Sequence, residues 1–477
     1  MNSFRICWFT LVMAVGVSGA EPAIHQAQGV FIGEPTATSV LLQTRLTAIA
    51  GPKLDAENDV PGSAGVGRFE YGTSPKFTDT KTTEWLLATA PNDFIIRAQI
   101  ANLQPFTTYY FRSIVGKTEA TAQPGQVGQF RTLPAPDSTD QVKFCMGSCM
   151  NYHSFMSGKA NGGGPVTATA EDKELGYRVF KTMHLKNPDF FIGTGDIVYY
   201  DHPGNMPATT LPELHKKWHE QFRFPRLMEF FARTPAYWSK DDHDFRFNDS
   251  DLSGQRLPLA KTGIDLFRQQ MPIFAADDTK TPTYRTHRIN KHLQIWLVEG
   301  RDFRSPIKMK DGPEKSIWGK EQRDWLQKTL LASDAKYKIL ISPTPMVGPD
   351  RASKKDNHTN LNGYRHEAEA FFDWCKANKQ NNLLIFCGDR HWQYHSIHPC
   401  GIEEFGCGAL NDENAISGVK PGTKNSTDPM GLLKQPYLYD KPTGGFIFVQ
   451  QATDEKMPTL KISHYDDQGK ILNQCKK

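Results

Sequence analysis

Apolar positions fall into two regimes along this chain. Between residues 26 and 132 they come in short runs, among them 30–32, 39–44, 67–71 and 109–112, and 130–132 forms the last. Gly, Pro, Asn and Asp separate these runs, which predicts an all-β region of short strands. From about residue 141 the period alternates. Apolar runs at 142–146, 190–192, 293–298, 337–341 and 383–387 read as buried strands. Residues 173–183, 211–230, 320–332 and 367–378 carry helical spacing, with Trp325, Leu326 and Leu330 on one face. Strand–helix alternation predicts a layered α/β region. The runs 445–450 and 460–464 are expected to close one sheet, and Pro134-Ala135-Pro136-Asp137 reads as a stiff polar linker.

The first twenty residues follow neither regime. Arg5 is a sparse positive start, residues 7–17 are apolar, and Ser18-Gly19-Ala20 follows. This predicts a signal peptide, residues 1–20, cut after Ala20. The apolar run is shorter than the roughly twenty residues that span a bilayer, so no transmembrane segment is expected. The protein is expected to be exported, periplasmic or extracellular. A length of 477 residues suits two or three domains. The net charge of +4 gives no argument for a nucleic-acid partner. Of the eight cysteines, Cys7 falls in the signal segment, leaving an odd number. Cys400 and Cys407 flank a short loop and could pair in an export compartment. Cys145 and Cys387 read as buried free thiols.

Candidate chemistry clusters just after the strand-like runs. The strings are Gly147-Ser148-Cys149, Gly195-Asp196-Ile197-Val198-Tyr199, Asp241-Asp242-His243-Asp244 and Gly388-Asp389-Arg390-His391. Side chains at neighbouring strand ends can converge on one point. A carboxylate such as Asp196 can bridge two ions, and the Tyr199 phenolate favours a trivalent metal. The Cys149 thiolate suits iron or zinc. Asp242 could bind a second ion, with His243 beside it as general acid. Asp241 and Asp244 would orient these groups. Asp389 and His391 lie two apart in an extended segment and point the same way, whereas Arg390 is expected to point elsewhere. His358 is a further candidate ligand or a plain loop histidine. Arg301 and Arg304 could clamp a phosphate or form ordinary ion pairs.

Taken in order, these strings resemble the PhoD-like alkaline phosphatases, within the calcineurin-like metallophosphoesterases. The resemblance runs from about residue 29 to residue 464. It implies a four-layer α/β/β/α metallophosphatase domain over residues 141–465, preceded by a fibronectin III-like sandwich over 26–133. In the latter, the stretch 103–112 resembles the strand signature in which a corner tyrosine bonds back to the chain. It further implies ferric iron on Cys149, Tyr199 and His391, Asp196 as bridge, and calcium on Asp242 and Asp389, with zinc or manganese as alternatives. The expected substrate is a phosphate ester. The family often has Asp-Gly-Tyr-Pro where this chain has Asn362-Gly363-Tyr364-Arg365, which leaves the 356–360 string as candidate for the second-metal work. Two other readings compete: a phosphodiesterase or phospholipase on the same site, and a non-catalytic exported binding module.

Overall fold

The computed structural model describes residues 23–158, 168–454 and 457–477. The expected signal segment, residues 1–20, lies outside the described residues.

Two large sheets stack face to face. The first has nine strands, in the order Ile471–Lys476, Met457–Asp466, Gly445–Asp454, Lys143–Gly147, Phe190–Thr194, Ala236–Ser239, Val30–Gly33, Val40–Arg45 and Ile95–Ile100. The second has seven, in the order Arg285–Arg288, Leu293–Leu297, Tyr337–Ser342, Leu383–Cys387, Glu403–Cys407, Gln393–Ile397 and Lys434–Leu438. The central strands of both are parallel. Parallel strands covered on both faces need apolar residues at every position, which is why they read as unbroken runs.

The alternation of the pleat sorts those residues into layers. Phe144, Met146, Phe190 and Ile192 face Ile295, Ile339, Ile341 and Phe386 of the other sheet. Their neighbours Cys145, Phe191 and Trp238 face outward, against the helices Arg178–Lys186, Leu211–Phe222 and Pro225–Phe231. The helices Gly319–Ala332 and Arg365–Ala377 cover the outer face of the second sheet through Leu326, Leu330, Phe371 and Phe372. The result is the expected α/β/β/α layering. The helix expected over 173–183 is two helices, Ala170–Leu175 and Arg178–Lys186. Gly176 breaks them at φ +94°, tight against Phe224. The runs near 445 and 460 pair with each other in the first sheet, and the strand Ile471–Lys476 adds its edge.

The N-terminal β-rich region is joined to the rest through the first sheet. Gly33 pairs in parallel with Ala236, so three N-terminal strands continue the nine-stranded sheet. A separate six-stranded sheet packs over them around Phe69, Phe111 and Phe130. Tyr109 Oη accepts a hydrogen bond from the Gln104 N–H at 2.9 Å, the corner contact expected. In the stretch 134–137, Pro134 is buried and Ala135 half-buried, while Pro136 and Asp137 are exposed. Buried and half-buried polar contacts cross the same boundary. His219 bonds Asp59 at 2.7 Å and Asp93 at 2.8 Å, and Glu34 pairs with Arg285 and His287.

Cys400 and Cys407 do not pair. Every described cysteine is a free thiol. Cys400 lies in the turn before the strand Glu403–Cys407, and Cys407 is that strand's last residue. At about 3.3 Å per residue the strand alone separates them by roughly 13 Å, far beyond disulfide reach.

Candidate metal centre

Three parallel strands of the first sheet and one of the second end side by side, and the candidate residues sit just past those ends. Cys149, Asp196 and Asp389 each lie two residues beyond a strand, with positive φ of 61°, 54° and 63°. Non-glycine residues hold such a conformation at a cost of about 1–3 kcal/mol each, and it clusters at functional sites. Here it turns the three side chains toward one another. The sheets also approach closely at this point. A Cβ on Gly388 would lie 2.5 Å from both Ser148 Oγ and Thr194 Oγ1.

One donor group consists of Cys149, Asp196, Tyr199 and His391. The ligand atoms of Cys149, Asp196 and His391 lie within 4.8 Å of one another. Tyr199 Oη is 3.3 Å from Asp196 Oδ2 and 3.4 Å from His391 Nε2. Cys149 Sγ is 3.4 Å from the same Asp196 oxygen. Asn414 Nδ2 donates to Tyr199 Oη at 3.0 Å and to the Cys149 carbonyl at 3.2 Å. Burial, then the Asp196 charge, pushes the Cys149 thiol and the Tyr199 phenol well above their ordinary values. Burial keeps the His391 imidazole neutral, the form that binds metal. A cation is what would deprotonate the thiol and phenol in such a pocket.

A second donor group is all carboxylate. Asp242, Asp249 and Asp356 offer oxygens within 4.8 Å of one another. Asp242 Oδ1 and both Asp356 oxygens are buried and accept no hydrogen bond. Buried carboxylate oxygens without donors are a costly arrangement in a protein, and an oxygen-binding cation satisfies them. The two groups meet at Asp196, which also lies within 4.8 Å of Asp242 and His243. Both donor sets therefore fit metal ions: sulfur, phenol and imidazole on one side, oxygen alone on the other.

His243 borders both. Its Nδ1 bonds Asp201 Oδ1 at 2.7 Å, its ring stacks on Tyr199 at 4.1 Å, and its N–H donates to Asp196 Oδ1 at 3.3 Å. Burial opposes its charge, but Asp242, Asp201 and Asp196 more than offset this and hold it protonated. His202 lies beside it, bonded to Asn151 at 2.6 Å, and is pushed down to about 4 by burial and by the neighbouring His243. The expected orienting acids are in place. Asp244 accepts from the Ile197 N–H at 3.0 Å and from the Asp241 N–H at 2.6 Å.

Several expectations need correction. His358 joins neither donor group. Its Nε2 bonds Glu367 at 3.0 Å and its ring packs 4.8 Å from Trp318. The tight turn at 357–360, pinned by Asn357 and Asn360 on Asp350, sends His358 to the helix side and leaves Asp356 at the site. Arg301 and Arg304 are fully buried rather than open to a substrate. Arg301 Nε bonds Asp241 at 2.7 Å and its Nη1 bonds the Ser250 carbonyl at 2.8 Å. Arg304 bonds the Gly300 and Asp356 carbonyls, with its Nη2 left without a partner. Arg390 does not point away. It bonds the Asp389 carboxylate, and Asp350 at 3.0 Å, so Asp389 meets a guanidinium rather than joining either compact donor group. Asp201, Asp249 and Asn414 escaped sequence reasoning. Asp201, two residues past Tyr199, was the most readable of them.

Residues 144–436 match the model of the PhoD-like phosphatase family, and residues 16–134 match its N-terminal domain. Alkaline phosphatase D of Bacillus subtilis (strain 168) is 22% identical over 448 residues, covering 85% of this chain and 72% of that protein. A solved structure of PhoD superposes with a TM-score of 0.70 at 18% identity, covering 96% of this chain and 93% of the other. Purple acid phosphatase PPD1 from yellow lupin (Lupinus luteus) seeds superposes at 0.59 with 12% identity, covering 94% and 73%. With the family's catalytic and N-terminal models both matched along one chain, this protein belongs to the PhoD-like phosphatase family and is a phosphate-ester hydrolase.

Proposed function

We propose that this chain is an exported phosphatase whose two donor groups hold two different ions, iron(III) on Cys149, Tyr199 and His391, and calcium on the carboxylates around Asp242 and Asp356. Asp196 would contribute to both groups, and Asp389 would be a further ligand of the second. The observation that carries the reading is the asymmetry of the donors. A thiol and a phenol suit a ferric ion, while oxygens without hydrogen bonds suit a hard divalent cation. Bound there, the ions supply Lewis-acid polarisation of the phosphate ester and of a water nucleophile.

The chain's own residues supply the rest. His243 is held protonated and its Nδ1 is committed to Asp201, which leaves Nε2 to donate a proton to the departing alkoxide. Arg301 holds the Asp241 carboxylate and Arg304 holds backbone carbonyls, so neither is assigned to the substrate. Arg390, 3.8 Å from Asp356, and Lys354, beside Asp249 and Asp356, bring positive charge to the second carboxylate group. The predicted signal sequence supports export.

Elemental analysis and a visible spectrum of the purified protein test this directly. About one iron and at least one calcium per chain, with a visible absorption band, are expected. Two zinc or manganese ions without colour would sink the ion assignment. Parallel assays on para-nitrophenyl monoester and diester substrates then decide the ester class.

A further inference from the structure

A second reactive cluster lies at the far end of the second sheet. Cys400, in the turn between the strands Gln393–Ile397 and Glu403–Cys407, is half-buried. The opposite end of the strand Glu403–Cys407 adjoins the metal centre, where Ala409 bridges to Ser148. Cys400 Sγ lies 3.0 Å from His398 Nδ1, and His398 Nε2 lies 3.6 Å from Glu369. A nucleophile, a base and an orienting carboxylate stand in a row. The same turn packs on the helix Arg365–Ala377, with the rings of Phe372 and His398 4.5 Å apart. That helix carries Cys375, which is 2% exposed. Cys375 and Cys400 both line one cavity of about 130 Å³, together with Lys376, Gln380 and Ile402.

We propose that Cys400 is a reactive thiol that exchanges with an external disulfide and then closes an internal disulfide with Cys375. The Cys400 thiolate attacks one sulfur of the external disulfide. A mixed disulfide forms, and the departing thiolate takes up a proton. Cys375 loses its proton and attacks the Cys400 sulfur, expelling the second thiolate. Two protein thiols are oxidised to one disulfide, and one external disulfide is reduced to two thiols.

The surroundings divide the labour between the two cysteines. Burial raises the Cys400 thiol, but the His398 hydrogen bond more than offsets it, so Cys400 lies below its ordinary value. His398 is held charged, at about 9, because its bonds to Cys400 and Glu369 outweigh burial. Burial pushes Cys375 up to about 12, as suits a thiol that acts second. The cavity leaves room for either sulfur to move toward the other. The closed bond would tie the end of the helix to the turn.

The test uses the full protein, oxidised glutathione as the external disulfide, and peptide mapping by mass spectrometry without reductant. Wild type is expected to lose two hydrogens, carry no glutathione and yield a peptide joining Cys375 to Cys400. Cys375→Ser is expected to stop at glutathione on Cys400, and Cys400→Ser to abolish the fast reaction. His398→Gln should slow the first step about tenfold, because the hydrogen bond that favours the thiolate is lost. The proposal is overturned if wild type keeps glutathione on Cys400, if another cysteine pair forms, or if Cys400→Ser reacts as fast as wild type. Circular dichroism of each variant separates loss of reactivity from loss of fold.

Discussion

Replacing Arg301 with Met separates a positioning role from substrate binding. Arg301 is fully buried and, among the described residues, is the one hydrogen-bond donor to the Asp241 carboxylate, whose other oxygen has no partner among them. It also satisfies the Ser250 carbonyl and stands 3.8 Å from Asp242 Oδ1. Methionine keeps much of the volume and removes every donor. Breaking a buried, hydrogen-bonded pair from one side typically costs about 3–5 kcal/mol, because the remaining group is stranded without a partner, here as a protonated carboxyl, since burial already raises Asp241 to about 8. The unfolding equilibrium should therefore shift by about two to four orders of magnitude. Urea unfolding followed by tryptophan fluorescence, after chelation so that bound metal does not contribute, measures this as a lower midpoint at unchanged slope. The double variant Arg301→Met with Asp241→Leu should recover most of the loss, since two apolar residues replace the pair. A loss below about 1 kcal/mol, the scale of an exposed ion pair, together with a raised KM, would refute the reasoning and return Arg301 to the substrate.

Four further outcomes are expected. Tyr199→Phe should remove visible ligand-to-metal absorption and lower iron content; an unchanged spectrum would take Tyr199 out of the site. His243→Ala should lower turnover by about 10²–10⁴-fold with both ions retained, and metal loss on elemental analysis would make it a ligand instead. Asp356→Asn should lower calcium occupancy and leave iron intact, whereas equal loss of both would contradict separate donor groups. Burial raises Glu34, Asp59 and Asp93, but Arg285 and the two histidines, His287 and His219, more than offset it, so all three lie below their ordinary values of 4.5, 3.8 and 3.8. Groups depressed in the folded state stabilise it fully above those ordinary values and lose that contribution as pH falls through the folded ones. The N-terminal region should therefore loosen below about pH 4. Limited proteolysis across that range reads it, and equal resistance at about pH 3 and pH 7 would contradict the clamp.

Much of the layering was legible in the chain because two-sided burial leaves a plain trace. A strand such as Phe190–Thr194 must be apolar at every position, and a helix such as Gly319–Ala332 on one face only. The acidic strings were legible for a related reason. A charged residue directly after a buried strand stands where strand ends converge. Where the reading failed, long-range contact decided the outcome. Nothing near Cys400 or Cys407 in sequence states that one ends a strand and the other begins a turn. His358 and Asp356 are two residues apart, yet the turn built on Asp350 divides them between a helix and the metal centre. Arg390 was expected to alternate away from Asp389, but the positive φ of Asp389 breaks the extended geometry on which alternation rests.

By itself the sequence determined most of the buried strands, the two-region plan and most of the donors, because these depend on local periodicity and residue chemistry. Only the tertiary structure decided that the N-terminal strands continue the first sheet. It brought Asp249 and Asp356 together with Asp242, set Asp389 against Arg390, and put Arg301 behind Asp241 rather than in front of a substrate. Those outcomes depend on where residues hundreds of positions apart come to lie. That is settled by how two twisted sheets stack and which buried charges must find partners, and a one-dimensional pattern does not encode either.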